Sequence, residues 1–138
     1  MVGLIDSHCH LDFPDFKEDL PHLLDRATAA NVSGFLTICT HVSKFTQVAA
    51  VSETYSTAAR PIWCTVGVHP HHAEEADEKV SADQLIALAQ HPRVVGIGEC
   101  GLDYYYEHSP KAEQIECFDT HLQVAKQLDL PVIVHSRD

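Results

Sequence analysis

The feature that most constrains this chain is a repeated alternation of strand-like and helix-like segments. Apolar runs of strand length, without a clean period of two, lie at 2–5, 34–39, 62–68, 94–97 and 132–134. Buried parallel strands have this pattern, because helices cover both faces of their sheet. Segments of helical character separate these runs, at 17–31, 43–56, 81–90 and from 109 onwards. The order predicts a parallel sheet built from strand–helix–strand crossovers.

Several helix boundaries carry their own signals. Ser43 is suited to cap the second helix, and Ser81 with Gln84 forms a capping-box pattern at the third. Ser109 followed by Pro110 predicts a cap and a first-turn proline for the fourth helix. The apolar stripe expected on that helix consists of Ile115, Phe118, Leu122, Ala125 and Leu128.

The spacing of the strands favours a barrel over a dinucleotide-binding sheet. Strand starts recur roughly every 30 residues, and no glycine-rich phosphate turn follows the first strand. A TIM-type (β/α)8 barrel typically needs ~250 residues, whereas this chain has 138. We therefore expect residues 1–138 to be the N-terminal portion of a single α/β barrel domain, truncated to about its first five strands and four helices.

Composition and charge exclude several classes of protein. A hydrophobic content of 45% is too high for a disordered chain, and no apolar run approaches the ~20 residues of a membrane-spanning helix. The net charge of −11 argues against a protein that coats nucleic acid through a basic surface. It leaves open an enzyme that binds a phosphodiester through metal ions.

Cysteine usage and the N-terminus predict a cytoplasmic protein. The N-terminus lacks a basic region followed by a long apolar stretch, so we expect no signal peptide. The five cysteines show no CxxC spacing, which favours reduced thiols over a disulfide framework. Cys39 and Cys64 lie in apolar runs and are expected in the core.

Histidine is unusually abundant, and its placement predicts a metal site. The chain has 11 His against 9 Lys and Arg together. In barrel enzymes the active site gathers at the C-terminal ends of the strands. A His or Glu stands at the end of every predicted strand: His8, His10, His41, His69, Glu99 and His135. Ligands from distant parts of the chain would therefore meet at one rim.

His8, His10 and Glu99 are the strongest candidate ligands. In an extended segment, residues two apart point to the same side, so His8 and His10 can chelate one ion. The alternative is a pair of polar residues at a strand end, with His10 in a structural hydrogen bond. Glu99 lies between glycines directly after an apolar strand. It is either a buried carboxylate held by backbone donors or a bridge between two cations, which would remove the cost of its burial.

Other polar residues at the rim have two interpretations each. His69 either binds substrate phosphate or caps its strand, and the role of His41 stays open. Arg137 either holds a phosphate through its planar fork or pairs with Asp103 or Asp138. The aromatic run at 104–106 either stacks on a base or packs in its loop. The remaining histidines are expected to be solvated: His22, His71, His72, His91, His108 and His121.

Four segments together resemble one family of enzymes. DSHCHLD, GVHPH, GECGLDYYY and PVIVHSRD are similar, in order and spacing along the whole chain, to the TatD family of metal-dependent hydrolases and deoxyribonucleases. The resemblance implies a (β/α)8 barrel with two divalent metal ions, Zn²⁺, Mn²⁺ or Mg²⁺, at its rim. His8 and His10 would bind the first ion, Glu99 would bridge both, and His135 would bind the second. A later His and a later Asp of the family pattern would lie beyond Asp138.

The resemblance also implies a reaction. DNA would be the substrate, hydrolysed by 3′→5′ removal of nucleotides, with His69 and Arg137 neutralising phosphate charge beside Glu99. Because part of the ligand set is absent, the 138 residues are expected to be inactive alone. The alternatives are an ester or amide hydrolase on the same scaffold, such as an aminoacyl-tRNA deacylase, and a non-catalytic truncated form. No obligatory protein partner is expected, but an oligomer is compatible with the sequence if the chain occurs as this fragment.

Overall fold

Five parallel strands lie side by side in sequence order, β1-β2-β3-β4-β5, in the computed structural model, which describes residues 3–138. The strands are β1 Leu4–Cys9, β2 Val32–Thr37, β3 Ile62–Val66, β4 Val94–Asp103 and β5 Val132–Arg137. The helices between them are α1 Leu20–Ala29, α2 Phe45–Tyr55, α3 Ala82–Ala89 and α4 Lys111–Leu128. Short 3-10 turns occupy Pro14–Phe16, Val42–Lys44 and Pro70–His72. The predicted order of elements is confirmed; Val2, in the first predicted strand, lies outside the described residues.

Three strands continue further towards the rim than the apolar runs indicate. His8 lies inside β1, Glu99 inside β4 and His135 inside β5, rather than after them. The extension is mutual, because β4 and β5 keep pairing beyond their apolar cores, with Gly101 opposite His135. The backbone positions of His8, Glu99 and His135 are therefore fixed by the strands in which they lie.

The expectation of buried strands is correct for β3 and β4 and wrong for β1 and β5. Leu4 and Ile5 of β1 are 64% and 53% exposed, and Val134 of β5 is 54% exposed. These two strands form the edges of the sheet, where a neighbouring strand covers one side alone. Their apolar side chains remain accessible among the described residues.

The core lies between the sheet and its helices in two clusters. The larger joins α2, α3 and α4 to β3 and β4 through Val48, Leu85, Ile97 and Val124. The smaller joins α1 to β2 and β3 and includes Leu24. Each large side chain buried in this way contributes about 1.5–3 kcal/mol relative to its exposed state. Cys39 and Cys64 are buried as expected, and the five cysteines are free.

The buried face of helix α4 matches the predicted apolar stripe only in part, since Ala125 is buried and Leu128 packs against the core as expected. Ile115 and Leu122 of the expected stripe are 52% and 41% exposed, whereas Gln114 and His121 are fully buried. Gln114 can be buried because its amide accepts a hydrogen bond from the Asp103 backbone N–H and donates to the Asp103 and Ser109 carbonyls. The hydrogen bonds to the Asp103 backbone, at the end of β4, thus keep Gln114 on the buried face of this helix.

The expectation that His121 is solvated is wrong for the same reason. Its Nε2 accepts a hydrogen bond from the Val68 N–H at 3.0 Å, and its Nδ1 donates to the Cys117 carbonyl at 2.7 Å. Burial lowers the pKa of His121, so its ring is neutral in the folded protein. His121 therefore connects α4 to Val68, which follows β3 and directly precedes His69.

The predicted helix caps are confirmed in one case of three. Ser81 and Gln84 form the expected capping box on α3. Ser43 instead lies in a 3-10 turn, where it hydrogen-bonds the buried carboxylate of Glu78. Pro110 replaces Ser109 as the N-cap of α4. No helix within residues 3–138 is long and apolar enough to cross a bilayer.

Candidate metal centre

Three of the predicted ligands meet at the rim of the sheet. The Nε2 atoms of His8 and His10 lie 3.4 and 4.0 Å from Oε2 of Glu99. One ligand atom from each of the three lies within 4.8 Å of the others. A single cation placed among them can therefore contact two imidazoles and one carboxylate oxygen.

Glycines on either side of Glu99 allow its strand to approach β5 closely. Gly98 and Gly101 have φ values of 136° and 141°, which side chains rarely adopt. A Cβ at Gly101 would lie 2.0 Å from the carbonyl oxygen of His135. On the other side, the Glu99 N–H donates to the Cys39 carbonyl at 2.8 Å. These contacts place the carboxylate between the ends of β2 and β5.

The surroundings of the Glu99 carboxylate fit a bound cation. Glu99 is 6% exposed, and among the described residues its ion-pair partners are all imidazoles, from His8, His10, His69 and His135. A buried carboxylate is costly unless a positive charge compensates it, and a bound cation would supply that charge. Imidazole and carboxylate together are a donor set that suits Zn²⁺ and Mn²⁺. The residues therefore fit the metal ions that the resemblance implies.

His10 is held in the orientation that a ligand needs. Its Nδ1 lies 3.0 Å from the Ile38 carbonyl, which leaves Nε2 facing Glu99. Its ring also stacks on Phe13, with the ring centroids 4.7 Å apart. Metal-binding histidines commonly donate their second N–H to a carbonyl in this way, because the contact selects the tautomer.

A second group of histidines faces the other oxygen of Glu99. His69, His71 and His135 each offer one ring nitrogen, and these atoms lie within 4.8 Å of one another. Nδ1 of His135 lies 3.2 Å from Oε1 of Glu99 and 3.2 Å from Nε2 of His69. Oε2 of Glu99 thus faces His8 and His10, while Oε1 faces His69 and His135. The two oxygens of Glu99 therefore face two separate groups of imidazoles.

Asp103 is the main residue of the site that the sequence did not single out. It is fully buried, and its Oδ2 accepts hydrogen bonds from the Nε2 atoms of His71 at 2.6 Å and His135 at 3.0 Å. Burial alone would raise its pKa, but hydrogen bonds from the Tyr106 N–H and the two imidazoles outweigh it and hold the pKa well below its usual range. Its position at the end of β4, two residues after a rim glycine, is the signal that could have found it.

The interpretation of His71 as a solvated loop residue is wrong, since its ring is half-buried against Asp103. Burial, together with the neighbouring His135, His71 and His72, lowers the pKa of His69 to about 3. His69 is therefore neutral near pH 7. Its Nδ1 accepts the N–H of His71, so its Nε2 carries the proton and points towards His135.

Arg137 lies beside the site and pairs with Asp103, which is one of the interpretations that the sequence leaves open. Its Nη1 is 3.9 Å from Oδ2 of Asp103, and its guanidinium lies 5.0 Å from the centroid of the Tyr106 ring. An open cavity of about 310 Å³ lies over the whole arrangement. Its walls include His8, His10, His69, Glu99, His135 and Arg137. Every residue predicted for the site therefore faces one space that is open to a substrate.

Known proteins resemble this chain in both sequence and structure. The sequence pattern of the family described as "TatD related DNase" matches residues 5–138. The chain is 39% identical over 135 residues to the "Uncharacterized metal-dependent hydrolase YjjV" of Escherichia coli, covering 96% of this chain and 50% of the relative. It is 36% identical over 135 residues to the "3'-5' ssDNA/RNA exonuclease TatD" of Citrobacter koseri, covering 98% and 50% respectively. The chain thus spans about half the length of the curated relatives it matches.

The solved structure of Escherichia coli YjjV confirms the fold. It superposes with a TM-score of 0.84 at 34% identity, over 99% of this chain and 52% of that one. The five parallel strands and four helices thus match part of a TIM-type barrel, as the strand spacing predicts. With the match extending from β1 to the end of the sequence, this chain belongs to the TatD-related DNase family.

Proposed function

We propose that this chain carries the N-terminal ligands of a dinuclear metal centre in a hydrolase that cleaves phosphodiester bonds of DNA from the 3′ end. The observation that carries the proposal is the position of Glu99, whose two carboxylate oxygens face two separate groups of imidazoles. His8 and His10 would hold one ion and His135 the other, with Glu99 shared. Zn²⁺, Mn²⁺ and Mg²⁺ are the candidate ions.

Divalent ions held by His8, His10, Glu99 and His135 would supply Lewis acidity towards a phosphate and would lower the pKa of a bound water. The chain's own residues bind and orient the substrate around that chemistry. Arg137 lies at the cavity wall and contacts Asp103 and Tyr106 behind it, and its planar fork suits a phosphate oxygen pair. His69, which is neutral, lines the same cavity, and its Nε2 proton points towards Nδ1 of His135. Relatives named as DNA and RNA exonucleases support a nucleic acid substrate.

We further propose that the 138 residues taken alone bind metal but do not hydrolyse DNA. His8, His10, Glu99 and His135 are only the part of the implied ligand set that lies within them. The five free cysteines are consistent with a cytoplasmic location, which stays a proposal.

Metal binding is tested first, by calorimetric titration of the metal-free chain with Mn²⁺ and with Zn²⁺. Glu99→Gln is expected to remove most of the binding at the centre, because the amide lacks the charge that both groups of imidazoles face. His22→Gln is the matched control, since His22 is an exposed residue of α1 and does not line the cavity. Equal affinity in Glu99→Gln and wild type would contradict the assignment.

The reaction is tested with the protein at its native length, using single-stranded DNA labelled at its 5′ end. Stepwise shortening from the 3′ end, dependent on added Mg²⁺ or Mn²⁺ and abolished by EDTA, is the expected result. An aminoacyl ester serves as the competing substrate. Hydrolysis of the ester without shortening of DNA would favour the ester-hydrolase alternative over the nuclease.

A further inference from the structure

A third group of side chains that could hold a metal ion lies beside the cavity, outside the centre described above. It consists of His41, in the connection after β2, and of His72 and Glu75, in the connection after β3. One ligand atom from each lies within 4.8 Å of the others. The sequence left His41 open and indicated a solvated His72, but both rings are half-buried and line the cavity of Glu99.

The side chains of this group are already in contact with one another. The ring centroids of His41 and His72 are 3.8 Å apart, with a tilt of 33° between the planes. Nδ1 of His72 lies 2.6 Å from Oε1 of Glu75. Nδ1 of His41 lies 3.0 Å from Oγ1 of Thr40, so its Nε2 remains available as a ligand.

Backbone contacts hold the two connections together, so little ordering is needed for binding. The His69 N–H donates to the Thr40 carbonyl at 2.9 Å, which joins the segments immediately before His41 and His72. The His72 N–H donates to the His69 carbonyl, and the Glu75 N–H to the His72 carbonyl, at 2.9 and 3.0 Å. A site whose ligands are held in place before binding loses less conformational entropy when the ion enters.

We propose that His41, His72 and Glu75 form an accessory site for one transition-metal ion, with Zn²⁺ as the best fit. Two imidazoles and one carboxylate are a ligand set of three-ligand zinc sites, which keep a further position open. The group borders the cavity over Glu99, because His41 and His72 both line it. The natural ligand for the open position is a phosphate oxygen of the substrate, a role that rests on the proposed function.

The metal site itself is tested without any assay of activity. Wild type, His41→Gln, His72→Gln and the control His22→Gln are loaded with Zn²⁺, dialysed against metal-free buffer and analysed for bound zinc by mass spectrometry. His41→Gln and His72→Gln are expected to retain one ion fewer than wild type and His22→Gln. Equal zinc content in all four proteins would overturn the proposal.

Two further measurements separate this site from the main centre. Glu99→Gln is expected to lose zinc at the main centre and to keep the ion that His72→Gln loses. Crystals of wild type grown with Zn²⁺ should show an anomalous peak about 2.0–2.2 Å from ring nitrogens of His41 and His72. No peak there, with peaks at Glu99, would reject the accessory site and leave the proposed function intact. A peak at His41 and His72 without any peak at Glu99 would support the accessory site and reject the main centre.

Discussion

The Nε2 atom of His135 lies 3.0 Å from Oδ2 of Asp103, a carboxylate that is fully buried. Because Asp103 is ionised, it accepts the proton of His135 Nε2 and leaves Nδ1 unprotonated. Nδ1 is the atom that faces Glu99 at 3.2 Å. Strand pairing supports the contact, since Arg137 lies opposite Asp103 and Gly101 opposite His135. Asp103 therefore selects the His135 tautomer in which Nδ1 is available for the metal binding proposed above.

Replacing Asp103 by Asn should weaken metal binding without removing a ligand. Asparagine can accept one imidazole proton but carries no charge to stabilise the orientation of both His71 and His135. Loss of such an outer contact typically lowers metal affinity about 10- to 100-fold. Competition with a fluorescent chelator measures the change, and Asp77→Asn, at an exposed position, is the matched control. An affinity equal to wild type in a folded Asp103→Asn protein would contradict the orienting role.

Gly101→Ala should destabilise the fold around the site. The new Cβ would lie 2.0 Å from the His135 carbonyl oxygen, and the φ of 141° is one that alanine rarely adopts. Because neither β4 nor β5 can move away without breaking its pairing, we expect the free energy of unfolding to fall by roughly 3 kcal/mol or more. Urea denaturation followed by circular dichroism measures this. A loss below about 1 kcal/mol would mean that the two strands separate easily here.

The buried His121 should make the protein less stable as the pH falls. Burial lowers the pKa of its folded form from the ordinary value of 6.5. As the pH falls below 6.5, His121 therefore binds a proton in the unfolded chain before it does so in the folded protein. This difference lowers the free energy of unfolding by up to about 1.4 kcal/mol per pH unit. Above 6.5 the residue is neutral in both states and contributes no slope.

His121→Gln tests this contribution, because the glutamine amide oxygen can still accept the Val68 N–H. The free energy of unfolding of the variant, measured between pH 5 and 7, should vary less steeply with pH than that of wild type. The other histidines contribute equally to both proteins, and exposed His22→Gln should retain the wild-type slope. Parallel curves for wild type and His121→Gln would show that the ring is accessible to protons.

The sequence predicts the order of strands and helices better than it predicts the side chains that surround the proposed metal ligands. The order of the strands follows from local patterns, and the polar residue after each apolar run locates the rim, although His8, Glu99 and His135 lie inside the longer strands of the structure. Asp103 and His71 form their contact across 32 residues of sequence, which no local pattern encodes. Their role depends on the continued pairing of β4 with β5.

The rotation of α4 shows a second limit of pattern reasoning. Ile115 and Leu122 satisfy the helical period, yet the helix buries Gln114 and His121. Periodicity treats every polar residue as solvent-facing. A polar side chain can be buried when backbone groups satisfy it, as the Asp103 and Val68 backbone groups do here. The decisive partners belong to other elements, so the buried face could not be read from the helix alone.

Tyr105 should contribute to binding of single-stranded nucleic acid by stacking on a base. Of the two interpretations of this aromatic run, packing describes Tyr104, whose ring lies 4.8 Å from the Lys111 ammonium. Tyr105 is 67% exposed and contacts Tyr106 at a ring-centroid distance of 4.8 Å, and Tyr106 in turn lies beside Arg137 of the cavity wall. Stacking of one base on an aromatic ring contributes about 1–3 kcal/mol.

Tyr105→Ala should therefore weaken binding of an oligothymidine by roughly fivefold to a hundredfold. Fluorescence anisotropy in EDTA, which prevents hydrolysis, measures the affinity. Tyr105→Phe is the matched control, because phenylalanine keeps the ring face and loses only the hydroxyl. We expect Tyr105→Phe to bind like wild type and thermal unfolding to be unchanged in both variants, since the side chain is exposed. If both variants lost affinity equally, the hydroxyl would be the contact and the ring face would carry no base.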